Sequence, residues 1–186
     1  LVVLSEAADS VAINVVPTFL GAHDFPNEFA DNRNGYVDLI CDEMIPAVTK
    51  QGIAQFCDVF CENGWFDVDS SRRILETGKE HGLKPRLHAD EFVDSGAAEL
   101  AAEVGAFSAD HLMHVSDEGI RKMAEADVVA ILLPGTTFFL GKQTYAPSRK
   151  LIDAGISVAL ATDFNPGSCT IQSMPFIMSL ACLYLS

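Results

Sequence analysis

The stretch DSSRRILETGKEHGLKPRLH, residues 69–88, decides the fold class. Asp69, Ser70 and Ser71 offer helix N-caps, since their short oxygen-bearing side chains accept from the free amides of a first turn. The helix they start runs through Glu80 and ends at Gly82, a residue that takes the left-handed C-terminal conformation without steric penalty. Leu83 to Leu87 then make a short strand that delivers His88. The order of helix, glycine stop, strand and ionisable residue recurs along the chain.

Ser95 to Val104 is a run of good helix formers closed by Gly105, after which Phe107 to Ala109 lead to Asp110 and His111. Ser116 caps a helix to about Ala126, followed by a strand over Val128 to Leu133 and a break at Pro134-Gly135. Pro147 to Ala154 is a short helix stopped by Gly155, and Ile156 to Ala161 lead to Asp163. Two earlier segments, Val11 to Leu20 ending near His23 and Ile53 to Phe60 ending near Glu62, complete six expected strands. Between them Tyr36 to Lys50 is helix-like, with Pro46 expected to kink or restart it. Alternating β and α elements with two-sided apolar strands imply a mostly parallel sheet, and right-handed crossovers leave a doubly wound sheet or a barrel. No G-x-G-x-x-G or G-x-x-x-x-G-K-[ST] follows a strand, which removes the usual support for a nucleotide-binding doubly wound sheet.

Composition narrows the function classes. With 49% hydrophobic residues in 186, the chain can bury a core and is not a disordered segment. Its 26 Asp+Glu against 12 Lys+Arg give a net charge of -14, so nucleic acid and anionic membrane surfaces are poor partners. Cys41, Cys57, Cys61, Cys169 and Cys182 form no C-x-x-C pair and read as reduced thiols of a cytoplasmic compartment. Met174 to Leu185, the most apolar stretch, is too short to span a bilayer and reads as a buried helix. No signal-peptide pattern opens the chain. The apolar Leu1 to Leu4 and the uncapped run Ser179 to Ser186 read as cut ends, so residues 1–186 are expected to form a single partial domain.

His88, Glu91, His111 and Asp163 fall just past expected strand ends, the rim on which parallel barrels carry active sites. Imidazole and carboxylate from different strands can converge on one divalent metal with a position left for water, whose pKa then drops to about 7. His88 and Asp163 are the candidate ligands. Structural roles stay open beside this: a hydrogen-bonded strand-end imidazole at His88 or His111, an Asx-type turn at Asp163, a helix-start carboxylate at Glu91. His114 reads as structural, in a loop leaving a strand, and Cys57 and Cys61 as buried thiols. Shared placement, rather than any single residue, favours the metal site.

Four motifs, FLGAH (19–23), LHADE (87–91), SADHL (108–112) and ATDFNPGS (161–168), resemble in sequence and order those of the imidazolonepropionases, of the amidohydrolase superfamily. The resemblance covers essentially the whole chain. It implies a (β/α)8 TIM-type barrel with a small β-sandwich built from both chain ends, of which this chain supplies about strands three to eight and lacks the first two strands and the sandwich. It also implies hydrolysis of 4-imidazolone-5-propanoate to N-formimino-L-glutamate in histidine degradation, with one zinc or iron ion and a metal-activated water as nucleophile.

Carried onto these positions, the resemblance makes His88 and Asp163 metal ligands and Asp163 also the base for the water proton. His111 stabilises developing charge, and Glu91 bonds a ring nitrogen and shuttles a proton. His23 contacts the ring, and Asn165, Gly167 and Ser168 contact the substrate. The family's H-x-H ligand pair, and the arginine and tyrosines that hold the substrate carboxylate, have no counterpart in the sequence. Full-length members are implied to be cytoplasmic homodimers. Two other readings stay open. One is a guanine- or cytosine-type aminohydrolase of the same superfamily, which also fits His88-x-x-Glu91, although the N-P-G-S tail after Asp163 argues against it. The other is a catalytically silent barrel piece with two unpaired sheet edges.

Overall fold

The computed structural model describes residues 1–185. Among them, six parallel strands lie side by side in sequence order: β1 (Thr18–Ala22), β2 (Phe56–Cys61), β3 (Lys84–Ala89), β4 (Ser108–His111), β5 (Val129–Leu132) and β6 (Val158–Leu160). A doubly wound sheet reverses its strand order at a switch point, whereas a barrel wall never does. The sheet is therefore the expected arc of a (β/α)8-type barrel.

The connections are helical: α1 (Val2–Ser10) before the sheet, then α2 (Arg33–Leu39), α3 (Ile45–Gln51), α4 (Val68–Glu80), α5 (Ala97–Glu103), α6 (Asp117–Glu125), α7 (Pro134–Phe139), α8 (Ser148–Asp153) and α9 (Met174–Tyr184). Strand β2 is buried at all six positions, as a central strand covered on both faces must be. Ile74 and Leu75 of α4, Leu87 of β3, Leu100 of α5 and Leu132 of β5 are fully enclosed between sheet and helices. Gly78 lets α4 lie close on the sheet, because a Cβ there would stand 3.0 Å from the Cys57 Cβ.

Several expectations need correction. The N-cap of α4 is Asp67, whose Oδ1 accepts from the Ser70 amide at 2.8 Å; Asp69, Ser70 and Ser71 lie inside the helix, with Ser71 buried on its inner face. The first strand begins at Thr18 rather than Val11, since Val11 to Asn14 are exposed and have no strand beside them to complete a ladder. Pro134-Gly135 ends a strand but also opens α7, where a proline in the first turn forgoes no hydrogen bond. Pro46 restarts the Tyr36 to Lys50 helix: a π-turn over Ile40–Met44 hands α2 to α3, with the proline in the first turn of α3. Helix α9 is not buried all round. Ile177 and Leu180 face inward, while Met178, Leu183 and Tyr184 are exposed. All five cysteines are free thiols, buried except for Cys182. No helix among the described residues is long and apolar enough to cross a membrane.

Leu87→Ala empties a fully enclosed site in the central sheet and is expected to lower stability by about 2–5 kcal/mol. Asp67→Ala, which removes only the α4 cap, should lower it by about 1 kcal/mol. Urea unfolding followed by circular dichroism and fluorescence measures both, and equal losses would contradict the packing described.

Candidate active site

Each strand presents its chemistry at its C-terminal end. His23 follows β1, His88 is the next-to-last residue of β3, Glu91 lies just beyond it, His111 ends β4, and Asp163 follows β6. These five, with Asn165, Gly167 and Ser168, line one cleft of about 540 Å³, so all eight residues singled out from the sequence share a single site. Phe60, Trp65 and Phe92 form an aromatic wall beside them. The His23 ring stacks on Phe60 at 5.3 Å and meets His88 edge-on at 5.3 Å, and His88 stands 5.3 Å from His111.

Two carboxylates hold the loop that carries Glu91. Buried Asp90 accepts from the Ser95, Ala97 and Ala98 amides and the Ser95 hydroxyl, at 2.9 to 3.2 Å. Glu62 Oε2 accepts from the Phe92 amide at 2.7 Å. On the opposite side, Asn165 Oδ1 accepts from the Gly167 and Ser168 amides while its Nδ2 donates to the Asp163 carbonyl, an Asx turn that folds residues 163–168 back over the cleft. The turn belongs to Asn165, not to the Asp163 side chain. The latter takes a hydrogen bond from Thr136 Oγ1 at 2.5 Å through Oδ2. His111, Leu112 and Asp163 all have positive φ, at 77°, 60° and 52°, so backbone strain gathers on this rim.

The protonation pattern follows from burial and neighbours. Burial disfavours an imidazolium at His88, but the Asp58 carboxylate, 2.8 Å from Nδ1, outweighs it and lifts the ring to about 9. His111 has no such partner. Burial and the charge of His88 push it well below its ordinary value, and its Nδ1 is enclosed without a hydrogen bond. Burial also lowers His23, with His88 adding to the effect. For Glu91, burial raises the carboxyl to about 7 despite the opposing influence of His88; its Oε2 lies 3.6 Å from His111 Nε2. A carboxyl that titrates near neutrality can take up or release a proton at working pH, while the neutral imidazole beside it can hydrogen-bond without carrying charge.

The donor set fits a divalent metal. His88 Nδ1 is engaged by a carboxylate, which leaves Nε2 for coordination, the arrangement typical of ligating histidines. Asp163 keeps one oxygen outside its bond to Thr136, and both residues face the same cleft. Asp58, Thr136 and the aromatic wall were not anticipated. Only Asp58 left a trace in the sequence, as the one charge inside the apolar run Phe56-Cys57-Asp58-Val59-Phe60-Cys61. His114 lines a separate hollow behind Glu91, and Cys57 and Cys61 are buried thiols that burial raises to about 12.

Comparison with protein-family profiles finds no match. Among curated proteins, the chain is 59% identical over 177 residues to the imidazolonepropionase of Geobacillus thermodenitrificans, which covers 95% of this chain and 42% of the relative. It is 58% identical to that of Shouchella clausii, covering 92% of this chain and 38% of the relative. It is 55% identical over its whole length to that of a Geobacillus sp., 43% of which is covered. The chain thus spans less than half the length of the relatives it matches, and the resemblance read from its motifs holds across nearly all of it.

Among solved structures, guanine deaminase from C. acetobutylicum with bound guanine aligns with a TM-score of 0.72 at 17% identity, over 98% of this chain and 47% of that one. A zinc-bound adenosine deaminase from Xanthomonas campestris aligns at 0.73 and 16% identity, over 97% and 43%. At that identity the likeness establishes the barrel fold alone.

Glu91 supplies a pH test. Its carboxyl titrates at about 7 in the folded protein against 4.5 ordinarily, so the native state holds the proton more tightly than the unfolded chain. Stability contributed by the protonated form is lost as pH rises through this window, by up to about 3 kcal/mol. Glu91→Gln removes that loss. Urea unfolding at about pH 5 and about pH 8 should show the variant gaining on wild type at the higher pH, and parallel behaviour would count against a buried, proton-holding Glu91.

Proposed function

We propose that the chain forms the strand-three-to-eight wall of a metal-dependent cyclic amidohydrolase that converts 4-imidazolone-5-propanoate to N-formimino-L-glutamate. The observation that carries the proposal is the convergence of four separated motifs on one cleft. Identities of 55–59% to three imidazolonepropionases support the choice of reaction. Zinc or iron held by His88 and Asp163 would act as the Lewis acid that makes water nucleophilic near neutral pH. The substrate is a small molecule with a planar ring, and the aromatic wall with His23 stacked on Phe60 offers that ring an apolar seat.

The chain's own residues supply the remaining steps. Asp163, oriented by Thr136, takes the proton of the attacking water. A carbon–oxygen bond forms at the ring amide carbon as its carbon–nitrogen bond breaks, and the proton goes on to the leaving ring nitrogen. Glu91 bonds a ring nitrogen and relays that proton, a task suited to a group that titrates at about 7. Neutral His111 stabilises the negative charge that develops on the carbonyl oxygen, in a buried setting where such a contact is strong. The Asn165 turn presents Gly167 and Ser168 to the substrate. A place in histidine degradation, a cytoplasmic location and a homodimeric assembly of the full-length protein are parts of the same proposal.

A chimera in which this segment replaces the matching 177 residues of the Geobacillus thermodenitrificans relative tests the reaction. It should hydrolyse 4-imidazolone-5-propanoate, and Asp163→Asn should lower its kcat by about 10²–10⁴-fold. Ammonia release from guanine or cytosine, without turnover of the imidazolone, would sink the proposal and favour the aminohydrolase reading.

A further inference from the structure

Below the cleft lies a charged network that joins His88 to residues the proposed reaction does not itself use. Asp58 on β2, Arg86 and His88 on β3, and Ser108 and Asp110 on β4 are paired across the sheet, Asp58 with Arg86, Arg86 with Ser108, and His88 with Asp110. They occupy alternate positions of their strands and so share one face, the inside of the barrel wall. Arg86 Nη2 donates to Asp110 Oδ2 at 2.8 Å, its Nε donates to Ser108 Oγ at 3.1 Å and stands 3.9 Å from Asp58 Oδ2, and Ser108 Oγ donates to Asp110 Oδ1 at 3.0 Å. The other oxygen of Asp58 takes the His88 Nδ1 contact at 2.8 Å. Side chains of Asp58 and Asp110 are only 4% and 8% exposed, where an unpaired carboxylate would be costly.

Asp58, His88 and Asp110 place ligand-type atoms within 4.8 Å of one another, which raises the question of a second metal site. Arg86 answers it: its guanidinium is bonded to Asp110 at 2.8 Å and stands 3.9 Å from Asp58, so a divalent cation would have to enter against a fixed positive charge. The network instead has the form of a support. Asp58 faces the Arg86 guanidinium at 3.9 Å on one side, Arg86 being fixed by its bonds to Asp110 and Ser108, and the other oxygen of Asp58 takes the imidazole.

We propose that Asp58 is the positioning residue for His88, fixing the ring with Nδ1 downward and Nε2 turned into the cleft, while Arg86 and Asp110 hold Asp58 in place. The inference rests on His88 acting as a metal ligand and adds to that reading a residue the motifs do not contain. Removing the carboxylate frees the ring to rotate about its bonds and so loosens the metal without touching the site directly.

The test uses the chimera with the Geobacillus thermodenitrificans relative, which supplies the segments this chain lacks, with zinc as the probe, in competition with a chromogenic chelator, and compares the unsubstituted chimera, as wild type, with His88→Ala, Asp58→Asn and Asp58→Ala. Zinc should bind the wild type, be lost in His88→Ala, and bind Asp58→Asn about 10–100-fold more weakly. Asp58→Asn keeps the size and shape of the side chain, so it decides the matter if Asp58→Ala does not fold. A second readout needs no metal: with ¹⁵N-labelled histidine, wild type should show a downfield Nδ1–H proton that vanishes in His88→Ala and in Asp58→Ala.

Zinc affinity in Asp58→Asn within twofold of wild type, with His88→Ala deficient, would overturn the positioning role and leave the metal reading intact. So would survival of the Nδ1–H signal in a folded Asp58→Ala. Undiminished binding by His88→Ala, or none by wild type, would instead overturn the ligand assignment, and the positioning role would fall with it.

Discussion

The constraint on which the rest depends is direction. Each strand enters the sheet from the same end, because each is preceded by a helix that crosses back over the outer face. Parallel strands in unbroken sequence order therefore open all their C-terminal ends onto a single rim. Residues as far apart in sequence as His23 and Asp163 meet for this reason alone. No local interaction between them is required. The pleat then sorts side chains by parity, so that Asp58 and Phe60, or Arg86 and His88, face inward while their neighbours pack under the helices.

Such a rim is made of strand ends and loops, the least constrained backbone in the fold, and chemistry needs it held to fractions of an ångström. Buried carboxylates meet that need. Asp90 gathers three amides and a hydroxyl, which shapes residues 90–98 and brings Glu91 to His111. Glu62 ties the same loop to the end of β2. The left-handed backbone at His111, Leu112 and Asp163 costs on the order of 1–3 kcal/mol per residue, and is sustained by the burial of Leu112 and by the bonds of Asp163 and Asn165.

Much of this is legible in the sequence because the signals are local. Gly82, Gly105 and Gly155 mark helix ends at positive φ, Ser116 is the N-cap of α6, and an ionisable residue after a strand marks the rim. What escaped is what only packing decides. Asp58 sits in a run that reads as pure core, and its partner His88 is thirty residues away. Thr136 hides in a segment whose Pro134-Gly135 reads as a strand break rather than a helix start. Val11 to Val16 has the composition of a strand but no neighbour to pair with, and the uniform apolarity of α9 conceals which of its faces is covered. Local patterns place elements along the chain; they do not say which surfaces meet.

The three imidazoles show why one hidden carboxylate matters. His23, His88 and His111 lie in a row with adjacent centroids 5.3 Å apart, and charging one of them opposes charging the next. A shared site of this kind has no preferred proton holder until something breaks the symmetry. Asp58 does so by binding His88 alone, and the other two are held neutral by burial and by the charge that His88 then carries. The same bond engages Nδ1 of His88 and leaves Nε2 as the ring nitrogen open to the cleft. His111, with no carboxylate on Nδ1, keeps a ring that can polarise a carbonyl without surrendering a full proton. A single side chain in the middle of an apolar strand thus divides three like residues into one charged imidazole and two neutral ones.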